Sequence, residues 1–434
     1  MISASSLKPI IINFCKKFRG LIFFIALAAI VLPEVTVYFN RPNRGFDILG
    51  YLNAGNDALK LENLYRISGP ASNNTWPPFF SFFSIPLALS QKFFGLPVTK
   101  ELWYFFNYTA FVLAMQMISL LLYKKKPSFL PGKDRFDFTS DLVFVPIFLI
   151  LPGFIKNFFM LQINMFVLFL VIAGFFFYTR EKNWVAGFFF GLAASIKAFP
   201  GLFLIYFLLR KQWKVAGTIL LWAIGFTVSP VLFYGFERFG NLMIEWLSIS
   251  FFKPFVIGYQ SFSNQSLYAF WERLLAHQLH ITQPASLIIK SANYLSIISI
   301  SIIVFSSILR FPHKKLSISG FLEFSMICIM MMLFPPIAWE HYWVLLLPAT
   351  ASVYYCLKKM PQVFTTAVKS LFVTYIVLTG VPYILSKSAI TFFLKIHSSG
   401  MFSGLVMLAA LVILHRNINL DRNINLVAAR DLNP

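Results

Sequence analysis

The segment Asn40-Arg41-Pro42-Asn43-Arg44-Gly45-Phe46-Asp47-Ile48-Leu49-Gly50-Tyr51 opens a polar stretch that ends at Trp76-Pro77-Pro78, in a chain that is otherwise almost continuously apolar. Between residues 40 and 78 stand two aspartates, Asp47 and Asp57, and Tyr65, with Gly and Pro at turn positions. Connections this long without evident periodicity are functional or disordered. Carboxylates, aromatics and turn residues together favour function, so residues 40–78 are expected to form an external active-site loop lying on a membrane surface.

That reading rests on composition. Of 434 residues, 58% are hydrophobic and only 12% charged, with a mean hydropathy of +0.72. Soluble domains carry about 25% charged residues, so the chain is expected to be an integral membrane protein. The net charge of +21 would suggest nucleic acid in a soluble protein. Here the Lys and Arg sit in short clusters between apolar runs, which is the positive-inside pattern, and no nucleic-acid partner is expected. Cys15, Cys328 and Cys356 have neither a disulfide framework nor metal-ligand spacing.

Working outward, a first span is expected at residues 21–38. Lys16, Lys17 and Arg19 precede it and no small-residue cleavage site clearly follows, so it reads as a retained anchor. Residues 79–94 contain Pro86 and fall short of the roughly 20 residues a span needs. Were they to cross, Lys124, Lys125 and Lys126 would lie on the wrong face, so they are expected as an interfacial or re-entrant helix. Residues 102–123, 142–155 and 163–178 then alternate across the bilayer. Residues 184–209 carry basic clusters at both ends, so two short helices should turn near Lys197-Ala198-Phe199-Pro200. Non-helical backbone at membrane depth is tolerated only where it is buried or lines a cavity, which makes that turn a cavity wall. Residues 215–233 lead to a second external loop at 234–286, and spans at 288–309, 321–334, 342–357, 364–383 and 402–414 follow. The expectation is an all-α polytopic protein of about 12 transmembrane helices. One transmembrane domain covers residues 1–415, a cytoplasmic tail covers 416–434, and both termini are cytoplasmic.

Oriented in this way, the polar residues outside the cytoplasm gather on one side. They are Asp47, Asp57, Tyr65 and Trp76 in the first loop, Gln162 and Asn164 at the head of a span, and Lys197 at the turn. Asn264, Gln265 and Arg273 lie in the second loop, and Trp339, Glu340 and His341 follow residues 321–334. A carboxylate opposed by cations and amides suits acid/base chemistry on a polar group carried by a lipid. A transporter would bury its ionisable groups at mid-bilayer in broken helices, where only Lys197, Lys290 and Glu323 are candidates.

In these residues the chain resembles glycosyltransferase family 87, a branch of the GT-C superfamily of polyprenyl-phosphate-sugar-dependent membrane enzymes. The family's opening pattern is similar to Asp47, Tyr51, Ala54, Tyr65 and Trp76-Pro77-Pro78, and its Gly-Gln-x-Asn element resembles Leu161-Gln162-Ile163-Asn164, with Leu161 departing from the Gly. Gly191-Leu192-Ala193 with Lys197 and Pro200, Asn264-Gln265-Ser266-Leu267 with Arg273, and Trp339-Glu340-His341 resemble three further elements. The resemblance implies a GT-C-like bundle in the bacterial plasma (inner) membrane. Its substrates would be a polyprenyl-phosphate hexose, mannose in particular, and an extracytoplasmic glycolipid or glycan acceptor. Asp47 would be the general base of a single inverting displacement. Lys197, Arg273 and His341 would hold the donor phosphate. Tyr51, Asp57, Tyr65, Trp76, Gln162, Asn164, Asn264, Gln265, Trp339 and Glu340 would contact sugar or acceptor. No metal or other cofactor is implied.

Plainer readings stand beside these. Asp47 also suits a helix N-cap, and Asp57 and Glu62 a solvated helix face. Tyr65, Trp76 and Trp339 suit an interfacial aromatic belt, Lys197 a snorkelling lysine, and His341 a satisfied buried histidine. Asn73-Asn74-Thr75 and Asn264-Gln265-Ser266 match the glycosylation sequon. The rival functions are a lipid transporter or flippase, a membrane scaffold, and a ligase or polymerase acting on diphosphate lipids.

Overall fold

A computed structural model of the chain describes residues 46–65, 74–124, 127–128, 136–137, 141–252, 263–278, 285–385 and 394–421. The expected first span at 21–38, Asn73 of the first sequon and the tail beyond 421 lie outside the described residues. The stretch expected as a loop carries a helix, α1, at Phe46–Leu59. Its Ala and Leu residues favour one, and Ile48, Tyr51, Leu52 and Ala58 are buried on it. After α1 come α2 (Pro78–Phe83) and α3 (Ile85–Tyr123).

At 39 residues, α3 would measure about 58 Å at 1.5 Å per residue, far beyond a bilayer core of about 30 Å. It breaks at Gly95 (φ 80°, ψ 167°), with Pro97 just after. The expected interfacial helix at 79–94 is thus two pieces, α2 and the first ten residues of α3, joined to the membrane-crossing part through a glycine kink.

The next helices are α4 (Asp141–Leu149), α5 (Leu151–Phe159), α6 (Asn164–Tyr178), α7 (Asn183–Ile196), α8 (Leu202–Leu209) and α9 (Trp213–Val228). They are followed by α10 (Val231–Tyr234), α11 (Phe236–Leu247), α12 (Leu267–Glu272) and α13 (Ala285–Leu309). The last four are α14 (Ile318–Leu333), α15 (Leu347–Lys359), α16 (Thr366–Ile384) and α17 (Ser399–Leu420). The expected second loop at 234–286 is therefore largely helical wherever it is described.

Among the described residues five helical segments are long and apolar enough to cross a membrane: Pro78–Tyr123, Trp213–Tyr234, Leu287–Leu309, Thr366–Ile384 and Ser399–Leu420. The pair α4 and α5, bent by 68°, makes a sixth if counted as one span. The protein is a multi-pass membrane protein, helical but for a short parallel strand pair at Pro127–Ser128 and Phe136–Asp137, with fewer full-length spans among the described residues than the twelve expected. The difference lies in segments such as α6 and α14. At 15 and 16 residues they reach only about 22–24 Å, and their apolar surface is buried against protein. An apolar run does not reveal whether its neighbour is lipid or another helix.

Two contacts set how these helices pack. Gly187 and Gly191, one turn apart on α7, face α9 so closely that a Cβ on Gly187 would meet the Thr218 hydroxyl at 2.4 Å, and one on Gly191 the Trp222 Cβ at 2.7 Å. Small residues four apart let membrane helices approach in this way. The second contact is a buried polar knot at the far end of α6. There Glu323, on α14 and fully buried, receives Arg210 in a two-pronged ion pair. Tyr206 donates to it at 2.9 Å, and His415 of α17 lies at 3.2 Å. His313 is 3.4 Å from the same carboxylate and 2.6 Å from the Tyr178 hydroxyl. Arg210 also donates to the Phe311 carbonyl at 2.7 Å.

Removing one member of a buried pair leaves the other charge stranded, at a cost of about 3–5 kcal/mol. Glu323→Leu is therefore expected to lower the thermal unfolding midpoint of the purified protein sharply, and adding Arg210→Met to restore part of it. An unchanged midpoint for Glu323→Leu would remove the knot as a structural anchor. Gly187→Leu should cost about 1–3 kcal/mol through overpacking, read as a lower midpoint together with loss of monodispersity on size exclusion.

Candidate active site

The site forms where four helix ends meet. Asp47 lies in the first turn of α1, where the helix dipole favours an anion. The Gln162 side chain hydrogen-bonds to its carboxylate and the Lys197 charge lies near it. Burial outweighs both and pushes its pKa up to about 6. Its Oδ2 is buried and has no hydrogen-bond partner among the described residues. Gln162 is fixed from the other side, its Oε1 accepting from the Tyr51 hydroxyl at 3.0 Å. The same hydroxyl accepts from the Ile163 amide at 3.3 Å.

Residues 161–164 form the tight turn between α5 and α6. Leu161 sits there at φ 52°, a left-handed conformation costing a non-glycine residue about 1–2 kcal/mol. The strain falls at the one position where the sequence departs from the Gly of the motif it resembles. Burial of the Leu161 side chain, and a 2.8 Å hydrogen bond from the Trp103 indole to its carbonyl, hold the turn. Asn157 adds a bond to the Gln162 carbonyl at 3.3 Å.

Opposite Asp47 stands Lys197, where α7 ends. Its backbone is extended (φ −138°, ψ 130°) and is followed by a 3₁₀ turn at Phe199–Gly201 containing Pro200, which cannot continue the helix. The ammonium donates to Asn164 Oδ1 at 2.6 Å and to the Tyr342 hydroxyl at 3.2 Å, and lies 4.3 Å from the centre of the Tyr342 ring. Asn164 in turn donates to the His341 carbonyl at 3.3 Å. His341 is buried in the 3₁₀ helix Glu340–Leu346. Burial, then the charges of Lys197 and Lys156, push its imidazole well below the usual range, so it is neutral at physiological pH. Tyr342 and Lys156 were not singled out from sequence. Tyr342 was legible as the neighbour of Trp339-Glu340-His341, whereas Lys156 carries no motif signal.

The structure thus brings together Asp47, Tyr51, Gln162, Asn164, Lys197 and His341. The remaining expected residues lie elsewhere or are engaged in support. Asp57 is ten residues along α1 from Asp47, about 15 Å, and faces Tyr234. The Tyr65 hydroxyl donates to the Trp76 carbonyl at 2.8 Å. Trp76 packs edge-on against Tyr51 at 5.0 Å and closes over Gly50, where a Cβ would touch its ring at 3.0 Å.

Arg273 spends its guanidinium on the carbonyls of Ile396 and Asn264, at 3.0 and 2.9 Å, and on the Ser398 hydroxyl at 2.5 Å. Asn264 bonds to Pro336, Ala338 and Ser266 and pairs with Trp339 in an isolated bridge. Being fully buried, with three hydrogen bonds on its side chain, it is no glycosylation acceptor in the folded chain. Gln265 bridges the Lys395 carbonyl and the Gly400 amide, and Glu340 pairs with Lys395 at 2.5 Å. Residues 264–273, 336–340 and 395–400 therefore form a bracket behind the 3₁₀ helix that carries His341 and Tyr342.

Comparison with known proteins agrees with the sequence resemblance. A polyprenol-phosphate-mannose-dependent alpha-(1-2)-phosphatidylinositol mannoside mannosyltransferase of Mycobacterium tuberculosis is 27% identical over 219 residues, which is 50% of this chain and 47% of that protein. The match thus spans about half the relative's length. The crystal structure of ArnT from Cupriavidus metallidurans bound to undecaprenyl phosphate aligns over 92% of this chain and 78% of that one, at 13% identity and a TM-score of 0.41, too low for a shared fold to be argued from it. The model of Glycosyltransferase family 87 matches residues 74–336. Asp47 and His341 lie just outside that stretch, while Gln162, Asn164 and Lys197 lie within it. The match covers more than half of the 434 residues, and the chain belongs to glycosyltransferase family 87.

Proposed function

We propose that this glycosyltransferase moves a hexose, mannose by its relative, from a polyprenyl-phosphate sugar to a glycolipid or glycan acceptor. The observation that carries the reading is the buried Oδ2 of Asp47, without a hydrogen-bond partner among the described residues, on a carboxylate within the field of Lys197. Asp47 accepts the proton of the acceptor hydroxyl as its oxygen attacks the anomeric carbon. The bond from that carbon to the phosphate oxygen breaks, its electron pair leaves with the phosphate, and the anomeric centre inverts. The Lys197 ammonium, held by Asn164 and Tyr342, meets the charge that grows on the phosphate. Lys156 adds a second cation nearby. His341, being neutral, serves as a hydrogen-bond donor, and Arg273 serves the bracket. The polar knot at Glu323 with Arg210 and His313 marks the opposite, basic end of α6. This supports an extracytoplasmic site with both termini cytoplasmic.

General-base catalysis contributes about 10²–10⁴-fold. Asp47→Asn is expected to lower transfer from labelled polyprenyl-phosphate mannose by that factor, in membranes matched for expression, with donor binding retained. Undiminished transfer would sink the assignment of Asp47. A base must be deprotonated, so kcat/KM should fall as pH drops through about 6, the value to which burial raises Asp47. Gln162 pulls that value down, so Gln162→Leu should move the acid limb to higher pH. A limb that stays in place would show that a different group titrates.

A further inference from the structure

Helix α5 ends in a Schellman turn that lacks its usual glycine. The Gln162 amide donates to the Asn157 carbonyl at 2.9 Å and the Leu161 amide to the Phe158 carbonyl at 3.1 Å, the two nested bonds of that motif. The residue in the left-handed conformation is Leu161, at φ 52°. Glycine takes that place at no steric cost, whereas a leucine there needs the turn to be held by other contacts. Asn157 supplies one. Besides receiving the Gln162 amide, it donates from its side-chain Nδ2 to the Gln162 carbonyl at 3.3 Å. One asparagine thus grips both backbone polar groups of Gln162.

Packing does not ask for an amide at this position. Asn157 is 0% exposed and stands among aromatic side chains directed at α3. Phe154, almost one turn before it, packs edge-on against Phe111 at 4.8 Å, and Phe158, next to it, lies 5.1 Å from Tyr104. Asn157 Oδ1 is buried without a hydrogen-bond partner among the described residues, a cost that an apolar side chain of similar size would not carry. What the amide does provide is the bond to Gln162.

The aim of Gln162 matters to Asp47. Its side chain hydrogen-bonds to the Asp47 carboxylate, and its Oε1 accepts from the Tyr51 hydroxyl at 3.0 Å, which leaves its amide nitrogen for the carboxylate. A glutamine side chain turns with its backbone, so a slip at residues 161–162 would carry that nitrogen off Asp47. We infer that Asn157 is a positioning residue for transfer, which grips the Gln162 backbone from behind and so keeps the Gln162 side chain on the Asp47 carboxylate. That role rests on the reading above, in which Asp47 is the base.

The test replaces Asn157 by leucine in the full-length protein, a change that alters no charge. The titratable and charged groups around Asp47 stay as they are: Tyr51 on its own helix, Lys197 at the end of α7, and His341 and Tyr342 on the 3₁₀ helix. Lys156 on α5 and the buried Lys100 and Tyr104 of α3 also remain, and α2 carries no such group. Asp47 is followed by its carboxyl band in infrared titrations, identified by its absence from Asp47→Asn. The Gln162 bond pulls the Asp47 titration down, so losing that bond should move the band's midpoint to higher pH. Asn157→Leu should move it in that direction about as far as Gln162→Leu does, and the two changes together no further than Gln162→Leu alone. Asn157→Ala, which adds no bulk, is read in the same way. A band that titrates as in the native protein, or shifts that simply add, would overturn the inference. So would failure of both Asn157 variants to fold, which would make the residue structural. The band is read whether or not sugar is transferred. If it moves while the acid limb of kcat/KM stays in place, Asp47 is not the base, and Asn157 still positions Gln162.

Discussion

The hydrogen bond from the Lys197 ammonium to the Asn164 side-chain oxygen ties the candidate site together, because it joins the end of one helix to the start of another inside an apolar bundle. A lysine at that depth is costly unless partnered. Asn164 supplies an oxygen at 2.6 Å, and Tyr342 a hydroxyl and a ring face. Satisfying the ammonium brings the end of α7, the turn before α6 and the 3₁₀ helix at 340–346 to one point. Once they are there, Gln162 reaches Asp47 and the His341 carbonyl reaches Asn164. Pro200 contributes by stopping α7 where the lysine is needed.

Helix α6 links this point to the other polar centre of the molecule. From Asn164 to Tyr178 is about 21 Å of helix, apolar and mostly buried, with Lys197 bound at one end and His313 at the other. Polar groups inside a membrane protein survive only where several partners converge, and both ends meet that condition. At Glu323 the convergence is structural, joining α8, α14 and α17 with the 311–313 segment. At Asp47 one carboxylate oxygen is left without a partner among the described residues, and a buried unsatisfied acceptor costs about 1–3 kcal/mol. The Glu323 end also holds a buried atom without a hydrogen-bond partner among the described residues, His415 Nδ1, so what sets the Asp47 end apart is that its open atom is a carboxylate oxygen.

Support residues account for much of what resembles a family motif. Arg273, Asn264 and Gln265 lie near the site through the chain, yet their hydrogen bonds go to backbone carbonyls and amides of residues 336–338 and 395–400. Gly191, the first residue of another element, serves the contact with Trp222. Motifs in a family record what positions a reacting group as well as the group itself. The family 87 match over residues 74–336 includes Asn264, Gln265, Arg273 and Gly191 of that frame as well as Gln162, Asn164 and Lys197 of the candidate site.

Composition alone determined that the chain lives in a membrane, since a 12% charged content cannot cover a soluble surface. The basic residues on both sides of 184–209, with Pro200 between them, made the break at Lys197 legible. The orientation drawn from the basic clusters, together with the resemblance to family 87, pointed to Asp47, Gln162 and Lys197, which do meet. Tertiary structure decided the rest. It put a helix where a loop was expected at 46–59, and buried apolar runs such as 164–178 against other helices. It turned Arg273 away from the site and brought Tyr342 and Lys156 into it. The physical reason is the same in each case. Hydropathy along a chain measures how strongly a segment avoids water, whereas the partner of a side chain is set by residues that stand 33 positions away for Lys197 and Asn164 and 145 for Lys197 and Tyr342.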